Sequence, residues 1–244
     1  MSGGIISAAS GMRAQMDALD MLANNLSNLN TTGFKAQKSF FSVLNDSMMP
    51  SENDSQDATA ADKLVIARGA LNMSDGTLTT TQRDMDLALI GDGFFAISTP
   101  RGTRYTRNGS FVANKTSQLA MADGSPVLGQ NGPIAVPSGK LSVTEKGEIY
   151  LDGNPIDQLK IQTFDTPSLM VSEGNSLLAP PNAQAAPKPG KAIVRQGALE
   201  QSNVNPVGSV VEMVSLMRRY EAIQKTVSLT LNNIDSKSIE KLGH

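Results

Sequence analysis

The sequence predicts an α+β fold in which long N- and C-terminal helices pair as a coiled-coil-like hairpin and carry a central antiparallel β domain with many glycine turns. Three observations carry that prediction. Apolar residues recur at helical spacing from Ile5 to Leu29 and again from Val210 to Ile234. Short apolar runs separated by Gly-containing turns fill the stretch between. The composition is lean, with 39% apolar residues, 4% aromatic residues and no Trp, which suits an elongated or assembling protein better than a densely packed enzyme.

The first helix rests on Ile5, Met12, Leu19 and Leu26, one every seven residues, with Ala9, Met16 and Ala23 four positions after the first three. Steps of four and three put both rows on one face, the seam that coiled coils use. Ala8, Leu22 and Leu29 widen the apolar arc. Only Arg13, Asp17 and Asp20 are charged between Met1 and Phe34, so this helix is expected to pack on more than one side. It runs into Asn24-Asn25-Leu26-Ser27-Asn28-Leu29-Asn30-Thr31-Thr32-Gly33, where Asn and Thr can bond local backbone and Gly33 can take a positive φ.

Residues 35–63 read as a linker region, polar and acidic beyond Asn45. The β domain is expected over 64–200. Tyr105–Arg107 is expected to meet Ser110–Val112 across Asn108-Gly109 as a hairpin. Leu119–Met121 should meet Pro126–Leu128 near Asp123-Gly124, and Leu141–Thr144 should meet Glu148–Leu151 across Glu145-Lys146-Gly147. Residues 179–192 hold four Pro and read as a connector. Asn205 then reads as the N-cap of the last helix, with Pro206 at its first position. That helix keeps steps of three and four through Val210, Met213, Met217, Tyr220, Val227, Leu231 and Ile234. The helical domain is thus 1–34 with 203–240. Whether its apolar stripes cover the β domain in one globule or pack on copies and relatives stays open at this point.

Chemistry is sparse. A net charge of −2 argues against electrostatic nucleic-acid binding. There is no Cys, and the single His is His244. No nucleophile elbow or phosphate-binding loop occurs. No apolar run has the ~18 residues of a membrane span, and no secretory signal is read at the N-terminus. Asp84/Asp86 and Asp152/Asp157 read as turn carboxylates, and Arg101, Arg104 and Arg107 as a hairpin edge. No enzyme activity, metal or cofactor is expected.

Three separated motifs, in order, resemble one family. Ala23-Asn24-Asn25-Leu26-Ser27-Asn28-Leu29-Asn30-Thr31-Thr32-Gly33-Phe34-Lys35 looks like the N-terminal signature of bacterial flagellar rod and hook proteins. Gly91–Phe95 with Tyr105–Phe111 is similar to that family's β-domain signature, and Leu199–Val204 before a helix containing Arg218-Arg219-Tyr220-Glu221 to its C-terminal one. Length places the chain among the rod proteins that carry a β domain. Residues 132–139 and Arg218–Glu221 are more similar to the proximal-rod type, Gly93-Phe94-Phe95 to the distal-rod type.

The resemblance implies a structural subunit of the basal-body rod in the periplasm, polymerising with itself and other rod and hook subunits. It implies torque transmission, terminal helices lining the export channel, and delivery by the flagellar type III export apparatus without a cleaved signal. Neither nucleic acid nor membrane insertion enters. The contact residues it implies are Ile5, Met12, Met16, Leu19, Leu26, Asn24, Asn25 and Phe34 at the N-terminal end. At the C-terminal end they are Val210, Met213, Met217, Tyr220, Val227, Leu231 and Ile234. The alternative is a soluble β-domain ligand-binding module with helical dimerisation arms.

Overall fold

The computed structural model describes the backbone of residues 2–44, 64–180, 182 and 185–242, and the side chains of 8–40, 69–180, 182 and 185–229. The acidic stretch 45–63 and the side chains of Ile5, Leu231 and Ile234 lie outside the described residues. The architecture is mixed: two long helices and many short antiparallel strands, divided into two compact units. Unit 1 comprises Met1–Leu26, Gln37–Ala70 and Asn205–His244; unit 2 comprises Ser27–Ala36 and Leu71–Val204.

Unit 1 holds α1 (Ser2–Ser27) and α2 (Pro206–Leu242). The N-cap reading of α2 is correct in detail: Gly208 N–H donates to Asn205 Oδ1 at 3.0 Å, and Ser209 N–H to Asn205 O at 2.9 Å. Ala18 and Leu22 of α1 form a buried cluster with Leu216 of α2, and Leu19 and Met213 pack against it. The buried row of α1 is Ala14, Ala18, Leu22 and Asn25, rather than the expected row through Met12, Leu19 and Leu26. Small side chains let a neighbour approach closely, and a pattern read from the larger Met and Leu residues misses that. The strand Gln37–Leu44 pairs with Leu64–Leu71, so residues 37–44, read as linker, are a strand.

Unit 2 is built on a six-stranded antiparallel sheet in the order Val171–Gly174, Leu177–Ala179, Gly102–Thr106, Phe94–Thr99, Ile161–Thr163, Lys188–Pro189. Successive side chains of a strand point to opposite faces. Phe95 and Ile97 therefore enter one buried cluster, while Phe94 and Ala96 enter the other. Burial on both faces explains why Phe94–Ile97 is a continuous apolar run instead of an alternating one. In the larger cluster the Phe95 and Phe111 rings meet edge to face at 5.1 Å between centroids. In the smaller, Tyr105 and Phe164 do the same at 4.8 Å.

A three-stranded sheet joins Leu141–Val143, Glu148–Leu151 and Asn154–Gln158, in the register Leu141↔Leu151 expected from the Gly147 turn. Leu141 is buried in the larger cluster, so Leu141→Ala is expected to destabilise unit 2 by roughly 2–5 kcal/mol in denaturant unfolding. An unchanged midpoint would remove that residue from the core.

The Asn108-Gly109 hairpin does not form. Gly102–Thr106 pairs with Phe94–Thr99, and Ser110 bridges Asp86. Asn108 Oδ1 instead accepts the Ser110 N–H at 3.0 Å in a local turn. Gly109 is needed for close approach rather than for positive φ: a Cβ there would lie 1.6 Å from Leu87 O. Residues 193–200 form two strands, Ile193–Gln196 paired with Leu87–Ile90 and Ala198–Glu200 paired with Leu78–Thr80, broken at Gly197 with φ +70°.

Candidate functional site

Two charged residues each directly follow a buried apolar one: Lys35 after Phe34, and Glu200 after Leu199. All three residues of the strand Ala198–Glu200 are buried, and a buried carboxylate needs partners. Glu200 Oε1 accepts from Lys35 Nζ at 2.7 Å and from Gly76 N–H at 2.9 Å. Its Oε2 accepts from Arg107 Nη1 at 3.3 Å. Lys35 Nζ also donates to Ser74 O at 2.8 Å. Arg107 donates to Leu89 O at 3.2 Å and to Gly91 O, with its guanidinium 5.5 Å from the Phe94 ring centre. Burial pushes the Lys35 amine below its ordinary pKa, opposed by the charge and hydrogen bond of Glu200.

The backbone around this triad is stapled as tightly. Gly33, at φ +66°, donates its N–H to Glu200 O at 2.7 Å, and a Cβ there would lie 2.2 Å from Asn108 N. Thr32 Oγ1 donates to Asn108 Oδ1 at 2.7 Å. Asn203 accepts the Ala36 N–H at 2.8 Å and donates to Asn72 O and Ser74 O, each at 2.8 Å. Phe34, Ala36 and Val204 share a small apolar cluster with Leu29. The three sequence motifs, far apart in the chain, thus meet at one place in unit 2. Removing one partner of such a buried ion pair leaves an uncompensated charge and is strongly destabilising, whereas replacing the whole set by apolar residues of similar volume is often neutral.

Sequence reasoning placed Lys35 and Glu200 within motifs but gave neither a role, and it took Arg107 for a hairpin edge. The available signal was a charge directly after an apolar motif residue, Lys35 after Phe34 and Glu200 after Leu199; Arg107, between Thr106 and Asn108, carried none. The expected Arg101–Arg104–Arg107 cluster divides. Arg104 and Arg101 both reach Glu173, at 2.9 and 3.1 Å, while Arg107 turns inward. The Arg104 hydrogen bond, together with the two arginine charges and against burial, holds the Glu173 carboxyl below its ordinary range.

Two expected contact residues are internal. Phe34 is buried in its cluster. Asn25 is buried in unit 1, where its Nδ2 donates to Gln37 O at 2.7 Å and its Oδ1 accepts the Gln37 N–H at 2.8 Å. Both satisfy the chain's own backbone or core and offer no surface. Met12 and Leu19 are half-buried, and Asn24 is exposed. Met16 is 52% exposed and Leu26 37% exposed. On α2 the covered row Ser209, Met213, Leu216, Tyr220, Ile223 and Val227 keeps steps of four and three, with Ser215 half-buried beside it. The residues Val207, Val210, Val211, Val214, Met217 and Leu229 are exposed, Val211 by 64%.

Of the acidic pairs, Asp84 and Asp152 lie in turns as expected, whereas Asp157 belongs to the strand Asn154–Gln158 and Asp86 is buried at a bridge to Ser110. Asp152 Oδ1 accepts the Lys140 N–H, Asp157 Oδ1 those of Gln158 and Asn131, and buried Asp86 lies 3.4 Å from Arg83. Among the described residues no group of three or more His, Cys, Asp or Glu could hold a metal ion, and no helix is long and apolar enough to cross a membrane.

Residues 5–35 match the family described as flagella basal body rod protein. Residues 88–151 match the flagellar hook protein FlgE/F/G D1 domain, and 195–236 the flagellar basal body rod FlgEFG protein C-terminal region. The flagellar basal-body rod protein FlgF of Caulobacter vibrioides is 32% identical, covering 92% of this chain and 91% of the relative. FlgF of Rhizobium meliloti is 30% identical over 100% of this chain and 99% of its own length. FlgG of Agrobacterium fabrum is 30% identical over 96% and 98%.

Proposed function

This chain belongs to the flagellar basal-body rod protein family, and from that premise we propose that it is a FlgF-type subunit of the proximal rod. It is a structural subunit of the basal body and not an enzyme. The relatives span nearly the whole chain, which gives no support to the ligand-binding alternative.

The observation that carries the finer reading is the division of the helix surfaces in unit 1. One face of each helix is spent on the Ala18–Leu22–Leu216 cluster, which supports a coiled-coil-like hairpin of α1 and α2. The other faces carry exposed Val and Met residues, with Arg218, Arg219 and Glu221 beside them on α2. Those faces pack on copies and on other axial subunits, by contacts that join different surfaces of successive subunits and so extend a helical array instead of closing a ring. Methionine tolerates unlike neighbours, as a junction between rod proteins requires. The terminal helices then line the export channel, and torque passes through the assembled subunits. Export is by the flagellar type III apparatus.

Deletion of the gene tests this directly. A strain without the chain is expected to keep its membrane rings and lose the hook and filament, with restoration by the intact gene. A deletion strain that still builds filaments and swims would overturn the reading.

A further inference from the structure

Docking of the segment Ser27–Ala36 into unit 2 has an unusual set of partners. Most of them come from residues 199–204, at the far end of the unit. Gly33 N–H donates to Glu200 O, Asn203 N–H to Phe34 O, and Ala36 N–H to Asn203 Oδ1. Phe34 and Ala36 pack on Val204, and Lys35 is paired by Glu200. The rest of the unit supplies Ser74 O to Lys35, Asn72 N–H to Ala36 O and Asn108 Oδ1 to Thr32.

Charge makes the dependence stronger. Lys35 and Arg107 are both buried, and both converge on one carboxylate, Lys35 on Oε1 and Arg107 on Oε2. The other nearby acid, Asp75, is half-exposed and 3.8 Å from Arg107. Without Glu200 the segment would bring a second cation into a dry site that already holds one, a costly burial. Glu200 also holds the Gly76 N–H, and Gln201 N–H donates to Thr77 O. A Cβ at Gly76 would lie 1.9 Å from Gln201 O, so the seat of the C-terminal motif leaves no slack.

We infer that Glu200 is the lock of unit 2: Ser27–Ala36 docks only after residues 198–204 have seated. A chain delivered N-terminus first, from a ribosome or through a channel, carries this segment undocked until the C-terminal motif arrives. The unit therefore closes late and in one step. Loop closure across a separation of 165 residues must precede the reward of the Lys35–Glu200 contact.

The test uses the full chain refolded from denaturant, with brief trypsin pulses, mass spectrometry of the cuts and pulsed hydrogen exchange. Exposed Lys38 serves as an internal reference for cleavage, three residues from buried Lys35. Resistance after Lys35 and protection of the Gly33 amide are expected together with protection of the Gln201 amide, never before it. In Glu200→Gln, trypsin is expected to cut after Lys35 in native buffer and Gly33 to lose protection. The apolar triple variant Lys35→Met/Arg107→Met/Glu200→Leu is expected to restore Gly33 protection, which separates the lock from general misfolding. Gly33 or Lys35 protected earlier than Gln201, a Glu200→Gln chain that stays uncut at Lys35, or a triple variant as unprotected as Glu200→Gln would each overturn the inference.

Discussion

Phe111→Ala is expected to lower the unfolding free energy of unit 2 by about 3–5 kcal/mol. Phe111 has no solvent exposure and sits in the largest buried cluster among Leu87, Leu119 and Ile149. Truncation removes the transfer free energy of the ring and leaves a cavity that rigid strands on both sides cannot close. It also removes the edge-to-face contact with Phe95, and such pairs contribute about 0.5–1.5 kcal/mol beyond burial. Domains are stable by only about 5–15 kcal/mol, so this one change takes a large share. The sequence has no Trp, so the unfolding is best followed by circular dichroism. Phe40→Ala is the matched control: Phe40 is exposed and its loss should move the midpoint little. Equal midpoints for the two variants would show that Phe111 is not where the core is.

The second large effect is on assembly. Leu22 and Leu26 lie one helical turn apart on α1, yet Leu22 is 6% exposed and Leu26 37%. Leu22→Asp places an uncompensated charge in the Ala18–Leu22–Leu216 cluster and is expected to separate the helices of the free subunit. Leu26→Asp is expected to leave the free subunit within about 0.5 kcal/mol of its original stability. It should nevertheless abolish incorporation into rods and motility, because the same charge would be buried against a neighbour. Normal swimming by the Leu26→Asp strain would remove this face from the assembly contacts.

These cases also show what was readable from residues alone. The two helices, the Asn205 cap and the Gly147 hairpin follow from local rules, since spacing and turn chemistry act over a few residues. The phase of α1 was not readable. Its buried row runs through Ala14 and Ala18, and small residues carry little weight in a hydrophobic pattern although they allow the closest approach. Asn108-Gly109 has the composition of a tight turn, but Gly109 is required by the carbonyl of Leu87 from another strand, and no local rule contains that distance. Lys35, Arg107 and Glu200 were in view as motif residues. Their convergence depends on the pairing of Ala198–Glu200 with Leu78–Thr80, a property of topology. The motifs therefore identified the family before the reason for their spacing was visible. That reason is one buried site at which all three meet.

In the assembled rod the exposed apolar faces of the terminal helices are expected to be buried by neighbouring axial subunits. The chain contains no Cys, so Val211→Cys introduces a single thiol on the exposed face of α2. Its labelling by a maleimide should be rapid in the isolated subunit, blocked in intact basal bodies, and restored when the rods are dissolved. Labelling in intact basal bodies at the rate of the isolated subunit would show that this face is not covered by a neighbour.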